Sequence, residues 1–199
     1  ASAYLTGLIA GRMTETNKVG FIGGMESPVI SKFDYGFRAG VKAANPDAEV
    51  MVQYANSFTD SALGKTIANQ MHSKNADIIF TCAGAVGIGA IEAAKENGKK
   101  AIGVDQDQNS IAPENVITSA MKNIDVSVEE MLSKVVDGSY KGGEIIVNTL
   151  AMNGVGIPQS SEKNVPPDVL TYVKEEAEKV KSGEVKVPAT KEEFEQLNK

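Results

Sequence analysis

An apolar run that stops at paired glycines and restarts as a capped helix fits one local fold, a βα unit. Residues 18–37, KVGFIGGMESPVISKFDYGF, have this form. Val19-Gly20-Phe21-Ile22 is short enough for a strand buried on both faces of a parallel sheet. Gly23-Gly24 breaks the run, and Met25-Glu26-Ser27 leads to Pro28. Proline suits a first helical turn because its missing N–H is not needed there, and Ser27 is placed to cap that turn. Val29, Phe33, Phe37 and Val41 recur every four residues and are expected to share the buried face. In open α/β sheets ligands bind beyond the carboxyl ends of the strands. The loop after this strand, and Phe33 one turn into the helix, are therefore candidate contacts.

The same alternation continues. Residues 49–55 (EVMVQYA) predict a strand, 56–60 a loop, and Leu63, Ile67 and Met71 a helix. Residues 76–83 (ADIIFTCA) predict a third strand, 84–89 a turn and 90–97 a helix ended by Gly98. A fourth strand is expected over 100–104, stopping at Asp105-Gln106-Asp107-Gln108. Strand–helix alternation through residue 105 implies a parallel sheet with helices on both faces. Upstream, residues 2–13 read as an apolar helix in which Gly7 and Gly11 permit close packing. Downstream the pattern is looser. Strands are expected at 116–121 and 144–150, and a helix at 125–136 with Val128, Leu132 and Val135 inward. A long charged helix is expected at 169–182, a short extended piece at 185–188, and a loosely ordered polar tail at 190–199.

Composition narrows the function classes. A formal charge of -6 argues against nucleic acid as a partner, because phosphate binding needs a basic patch. One cysteine, Cys82, excludes an internal disulfide, and with one histidine, His72, no cysteine- or histidine-based metal cluster is expected. His72 is expected on a helix surface and Cys82 as a small buried hydrophobe. No cofactor is expected. No run of about 18 apolar residues is present, so no transmembrane helix is expected, and no leader is visible. The chain starts at Ala1 without a methionine, inside an expected helix, so upstream residues are expected to be missing.

Four strand ends, 23–27, 56–58, 84–87 and 105–108, would line one edge of a parallel sheet. They lack a Ser/His/Asp or Cys/His set, so no enzyme is expected. Gly84-Ala85-Val86-Gly87-Ile88-Gly89 reverses the dinucleotide fingerprint. It reads better as a tight turn bringing backbone N–H groups near a neutral ligand than as a phosphate cradle. Asp105, directly after a strand, is either a loop cap or an acceptor for two sugar hydroxyls. Lys122 is either exposed, a donor to the same hydroxyls, or a counter-charge that balances Asp105. Phe33 is either helix core or a face for a planar base, with Phe58 a weaker candidate. Asp107 reads as solvated or structural.

Four ordered stretches, GFIGGMESPVISKFDYGFRAGVKAAN, IGVDQDQ, TSAMKNIDVSV and SGEVKVP, resemble the basic membrane protein family. Its members are lipoprotein substrate-binding components of ABC transporters, typified by purine nucleoside receptors. The resemblance covers nearly the whole chain. It implies a type I periplasmic-binding-protein fold, in which two α/β lobes close around ligand. Residues 16–108 would be the ligand-binding second lobe, complete here, and 1–15 with 109–199 what remains of the first lobe, hinges and C-terminal helix. It further implies that Phe33 stacks on the purine, Gly84 approaches the ligand, and Asp105 and Lys122 hold the ribose. The implied partners are adenosine, guanosine or inosine and a transporter permease. The implied location is the outer face of the cell membrane, by a lipid anchor this chain lacks. Surface left open by an incomplete lobe would favour self-association. Rival readings are a ligand-sensing regulator on the same fold, a receptor for another small solute, or a Rossmann-like enzyme.

Overall fold

Five strands run parallel: β1 (Lys18–Gly23), β2 (Glu49–Tyr54), β3 (Ile78–Cys82), β4 (Lys100–Asp105) and β5 (Val116–Lys122). A two-residue strand, β6 (Val155–Gly156), pairs antiparallel with β5. The order across the sheet is β2-β1-β3-β4-β5-β6 in this computed structural model, which describes residues 1–197. The expected α/β class, a largely parallel sheet flanked by helices, is the observed one.

Period-two alternation in the strands assigns the two faces. Phe21, Phe80, Ile102 and Ile117 point to one side, against α1 (Ser2–Met13), α2 (Pro28–Ala44) and α6 (Pro167–Ser182). Ile22 and Ile79 point to the other, against α3 (Ser61–Ser73) and α4 (Ala85–Glu96). Helix α1 lies on α2 where both carry glycine. A Cβ on Gly40 would stand 3.0 Å from the Cα of Gly7 and collide with the Tyr4 carbonyl. The sheet does not stop at residue 108, since β5 joins β4 and both α1 and α6 pack onto the same core.

Side-chain caps start α2 and α3, at Ser27 as expected and at Asp60, which is expected only as loop. Ser27 Oγ accepts from Ile30 N at 3.3 Å, and Asp60 Oδ1 accepts from Leu63 N at 2.9 Å.

Several expectations are corrected. Val29 is exposed, and Ile30 takes its place beside Phe33, Phe37 and Val41. Steps of four residues drift by about 40° each around a 3.6-residue helix, so Val29 has turned off the buried face. Helix α4 starts at Ala85, so most of the glycine run is helix and not turn. Its glycines serve contact: a Cβ on Gly87 would meet Thr81 Oγ1 at 2.8 Å, and one on Gly89 would collide with the Ser61 carbonyl of α3. Helix α5 (Ile124–Val136) buries no residue, and Val128, Leu132 and Val135 are exposed, not inward. Residues 144–150 form no strand, and Ile145 is 93% exposed, because no neighbouring strand supplies partners for their N–H and C=O groups. The C-terminal tail is not loose where described. It forms α7 (Lys191–Gln196), opened by a Thr190/Glu193 capping box; residues 198–199 lie outside the described residues. His72 is buried, not surface. Its Nδ1 donates to the Ala76 carbonyl at 2.9 Å while Nε2 has no hydrogen-bond partner.

Candidate functional site

The carboxyl ends of the parallel strands are knitted into a continuous rim. Gly24 N donates to the Cys82 carbonyl (3.0 Å), Ala55 N to Gly23 (2.8 Å), Asn56 N to Gly24 (2.9 Å) and Ala85 N to Phe58 (2.8 Å). The chain order reverses between β1 and β3, so their loops leave toward opposite faces, the place beside which open α/β sheets hold ligands.

Three of the four residues singled out in the sequence come together on this edge. Lys122 Nζ lies 2.7 Å from Asp105 Oδ1, a bond between the ends of adjacent strands β4 and β5. The same Nζ stands 5.2 Å from the centroid of the Phe33 ring, a cation–π contact. Phe33 itself is 9% exposed and rests on Phe80 at 6.3 Å between centroids. It is thus helix core and site wall together, with the ammonium near its ring. The pair's field reaches Cys82 at the end of β3. Burial, reinforced by the Asp105 charge and opposed by Lys122, pushes that thiol up to about 12. Cys82 is therefore a neutral hydrophobe at ordinary pH.

Asp105 adopts φ +68°, a left-handed conformation that aspartate tolerates better than most residues. The following loop folds back to hold it: Gln108 Oε1 accepts from Val104 N at 2.9 Å, and Gln108 N donates to Ser119 Oγ at 3.1 Å. Sequence reasoning missed Gln108 and Ser119; the repeat of glutamine in DQDQ was the only available cue. Asp107 is structural, accepting from Asn109 N at 3.0 Å. Gly84 sits at the N-cap of α4 with φ +59°, and a Cβ there would approach the Phe58 carbonyl to 2.7 Å. Phe58 in turn lies across Gly24, its ring where a Cβ would be. The expected glycine loop is thus reduced to Gly84 and the first N–H groups of a helix. A second buried carboxylate, Asp34, lies next to Phe33 on α2. Its Oδ2 accepts from the Tyr54 hydroxyl at 3.1 Å, and burial raises its pKa against the opposing pull of Arg38.

Chemically, the rim offers an acceptor carboxylate, an ammonium donor, an aromatic wall and helix N–H groups. That set grips and orients a small polar ligand with a flat apolar part. An open doubly wound sheet with such a rim is the architecture of a solute-binding protein, and one of known structure superposes on it closely. The solute-binding protein of an ABC transporter system from Aeropyrum pernix matches 98% of this chain and 66% of its own, with a TM-score of 0.85 and 26% identity. The chain belongs to the ABC transporter substrate-binding protein PnrA-like family, whose pattern matches residues 1–191. This is a family of substrate-binding proteins and not of enzymes. Among curated relatives, the CD4+ T-cell-stimulating antigen of Listeria monocytogenes is 41% identical over 202 residues, covering 94% of this chain and 56% of that protein. Basic membrane protein B of Borreliella burgdorferi is 39% identical over 197 residues, covering 97% and 56%. The chain thus spans little more than half the length of these relatives.

Proposed function

We propose that this chain is the larger part of an ABC transporter receptor that captures a purine nucleoside outside the cell membrane and delivers it to a permease. The observation that carries the reading is the Asp105–Lys122 pair beside the Phe33 ring, at the sheet edge where ligands bind, in a chain of the substrate-binding family. The base would slide over Phe33 where the ammonium now stands. The ribose hydroxyls would donate to Asp105 and accept from Lys122, and the backbone near Gly84 would face the sugar. Residues 16–108, completed by α1, β5 and α6, would form one lobe.

The excursion 124–154 would belong with the other lobe, which accounts for the bare apolar face of α5. A helix whose apolar stripe has nothing to bury against is what a contact surface looks like without its partner. Taken alone, residues 1–199 would associate through that face; in the intact receptor the second lobe would cover it. A lipidated cysteine upstream would hold the intact protein at the outer face of the membrane. Among the described residues no helix is long and apolar enough to cross it.

The test is calorimetric titration of the full-length gene product with adenosine, guanosine, inosine, cytidine and ribose. Saturable binding of purine nucleosides, with cytidine and ribose much weaker, supports the reading. Heat from ribose equal to that from the nucleosides removes the base from the site. No heat from any of the five removes nucleosides as the substrate class.

A further inference from the structure

Helix α2 is held from two sides. Its inner side lies on the aromatic core, where Phe37 stands 5.1 Å from Phe80 and 6.3 Å from Phe21 between ring centroids. Its outer side is covered by the C-terminal segment 185–197. Val185 N donates to the Lys179 carbonyl at 3.1 Å, which turns the chain back from the end of α6. Val187 then lies against Gly36, where a Cβ would stand in ordinary contact, 3.5 Å from Val187 Cγ1. The capping box stops the segment in register, with Glu193 Oε2 accepting from Ala189 N at 2.6 Å. Phe194 follows one residue later. Its ring stacks on Tyr35 at 5.8 Å and 27°, and the Arg38 guanidinium lies 4.3 Å from its centroid.

The contacts continue from there to the ligand edge. Arg38 Nη1 stands 3.7 Å from Asp34 Oδ1, and Asp34 Oδ2 holds the Tyr54 hydroxyl at 3.1 Å. The Tyr54 ring covers Gly23, at the carboxyl end of β1. Asp34 and Tyr35 are the two residues that directly follow Phe33. The tail therefore grips the turn of α2 from which the aromatic wall of the site projects.

We propose that Phe194 is a positioning residue for the ligand site, acting through Tyr35 and Arg38 to fix the turn of α2 that carries Phe33. The inference rests on the proposed binding role of Phe33. It concerns a residue past the end of the family match at 191. Without the ring, Arg38 keeps only the more distant Tyr35 face, 6.0 Å away, and Tyr35 loses its stacking partner, so the outer side of that turn is loosened while its inner side stays packed.

The experiment compares the full-length protein with Phe194→Ala and Phe194→Tyr. Nucleoside affinity is read by calorimetry, and amide hydrogen exchange in peptides spanning 28–44 and 116–122. Phe194→Ala is expected to weaken binding roughly three- to tenfold, the scale of one aromatic contact, and to speed exchange in 28–44 while leaving 116–122 unchanged. Phe194→Tyr, which keeps the ring, restores both. Unchanged affinity in Phe194→Ala overturns the proposal, as does faster exchange of equal size in both peptides, which marks mere loss of global stability. If the wild-type protein binds none of the nucleosides, the substrate reading fails by itself. The exchange comparison then decides alone whether Phe194 holds α2.

Discussion

The diol role proposed for Asp105 separates binding from stability, and Asp105→Asn tests it with little side effect. The left-handed backbone at φ +68° accepts asparagine as readily as aspartate, so no strain is added. The ion pair with Lys122 is also lightly held, with the Asp105 and Lys122 side chains 56% and 36% exposed. A pair that open contributes at most about 1 kcal/mol. At this chain length that moves Tm by about 2–4 °C. Binding responds differently. A hydrogen bond to a charged group is worth about 1.5–3 kcal/mol. The amide also turns one of two acceptor oxygens into a donor that cannot serve a hydroxyl proton. A loss of about 2–3 kcal/mol corresponds to a dissociation constant roughly 30- to 150-fold higher for a riboside. The assay is titration of both proteins with a nucleoside and with its free base, beside a thermal melt. The free base has no diol and should lose less than about twofold. Equal losses for nucleoside and base would refute the reasoning, and so would a Tm drop large enough to account for the lost affinity.

Phe33→Leu keeps bulk against Phe80 but removes the flat face. It should weaken purine nucleosides roughly five- to tenfold by calorimetry with ribose unaffected, and an unchanged purine affinity would end the stacking role. Gly40→Ala forces a methyl against the Tyr4 carbonyl and Gly7, so about 2–3 kcal/mol of stability should be lost. A melting temperature within about 2 °C of wild type would show that α1 and α2 separate easily. Burial holds His72 below the ordinary imidazole range, outweighing the pull of the Ala76 carbonyl, with Lys99 lowering and Asp77 raising it further. A histidine depressed in the folded state binds protons better when unfolded. Its contribution is therefore intact above about pH 6.5 and lost as the pH falls below that value. His72→Gln should flatten the acid limb of urea-measured stability below about pH 6.5, and parallel limbs would exclude His72 as its cause.

The βα units were legible from apolar runs broken by glycine or polar loops and restarted at helical spacing. A cap was readable only at Ser27, since Asp60 reads as loop and α4 has Gly84 at its N-cap, with no side-chain cap. Phe33, Asp105 and Lys122 were legible as candidates from their places at strand ends and helix starts. The pairing of Lys122 with Asp105 was one of the roles its position offered, whereas the contact of the same ammonium with the Phe33 ring was not legible, because α2 and β5 meet only in the fold. Failures came where a partner distant in sequence, or outside the chain, decides the outcome. Gly87 and Gly89 signal a turn locally, but Thr81 and Ser61 use them for packing. The stripe on α5 has the right period and nothing to bury against. His72 is polar by type, yet the fold closes over it and gives Nδ1 a carbonyl. The tail is highly charged, and its order rests on one aromatic, Phe194, meeting two residues some 160 positions earlier.

The backbone bonds that fasten the excursion 124–154 to the sheet lie along one line, beside which Leu150 packs against the core. Met121 and Lys122 pair with Gly156 and Val155, Asn123 N holds the Gly154 carbonyl at 2.9 Å, and Asn123 Nδ2 holds that of Asn153 at 2.7 Å. Sliding would break this row of bonds together, whereas twisting about it leaves the bonds of β1 to β4 untouched. For residues 124–154, twisting about this line therefore breaks fewer bonds than sliding along it, with the Leu150 contact as the brake. Lys122, the last residue of β5, stands on that axle. A rotation of the attached segment would alter the angle at which its ammonium meets Asp105, so that one ion pair would register torque at the sheet edge.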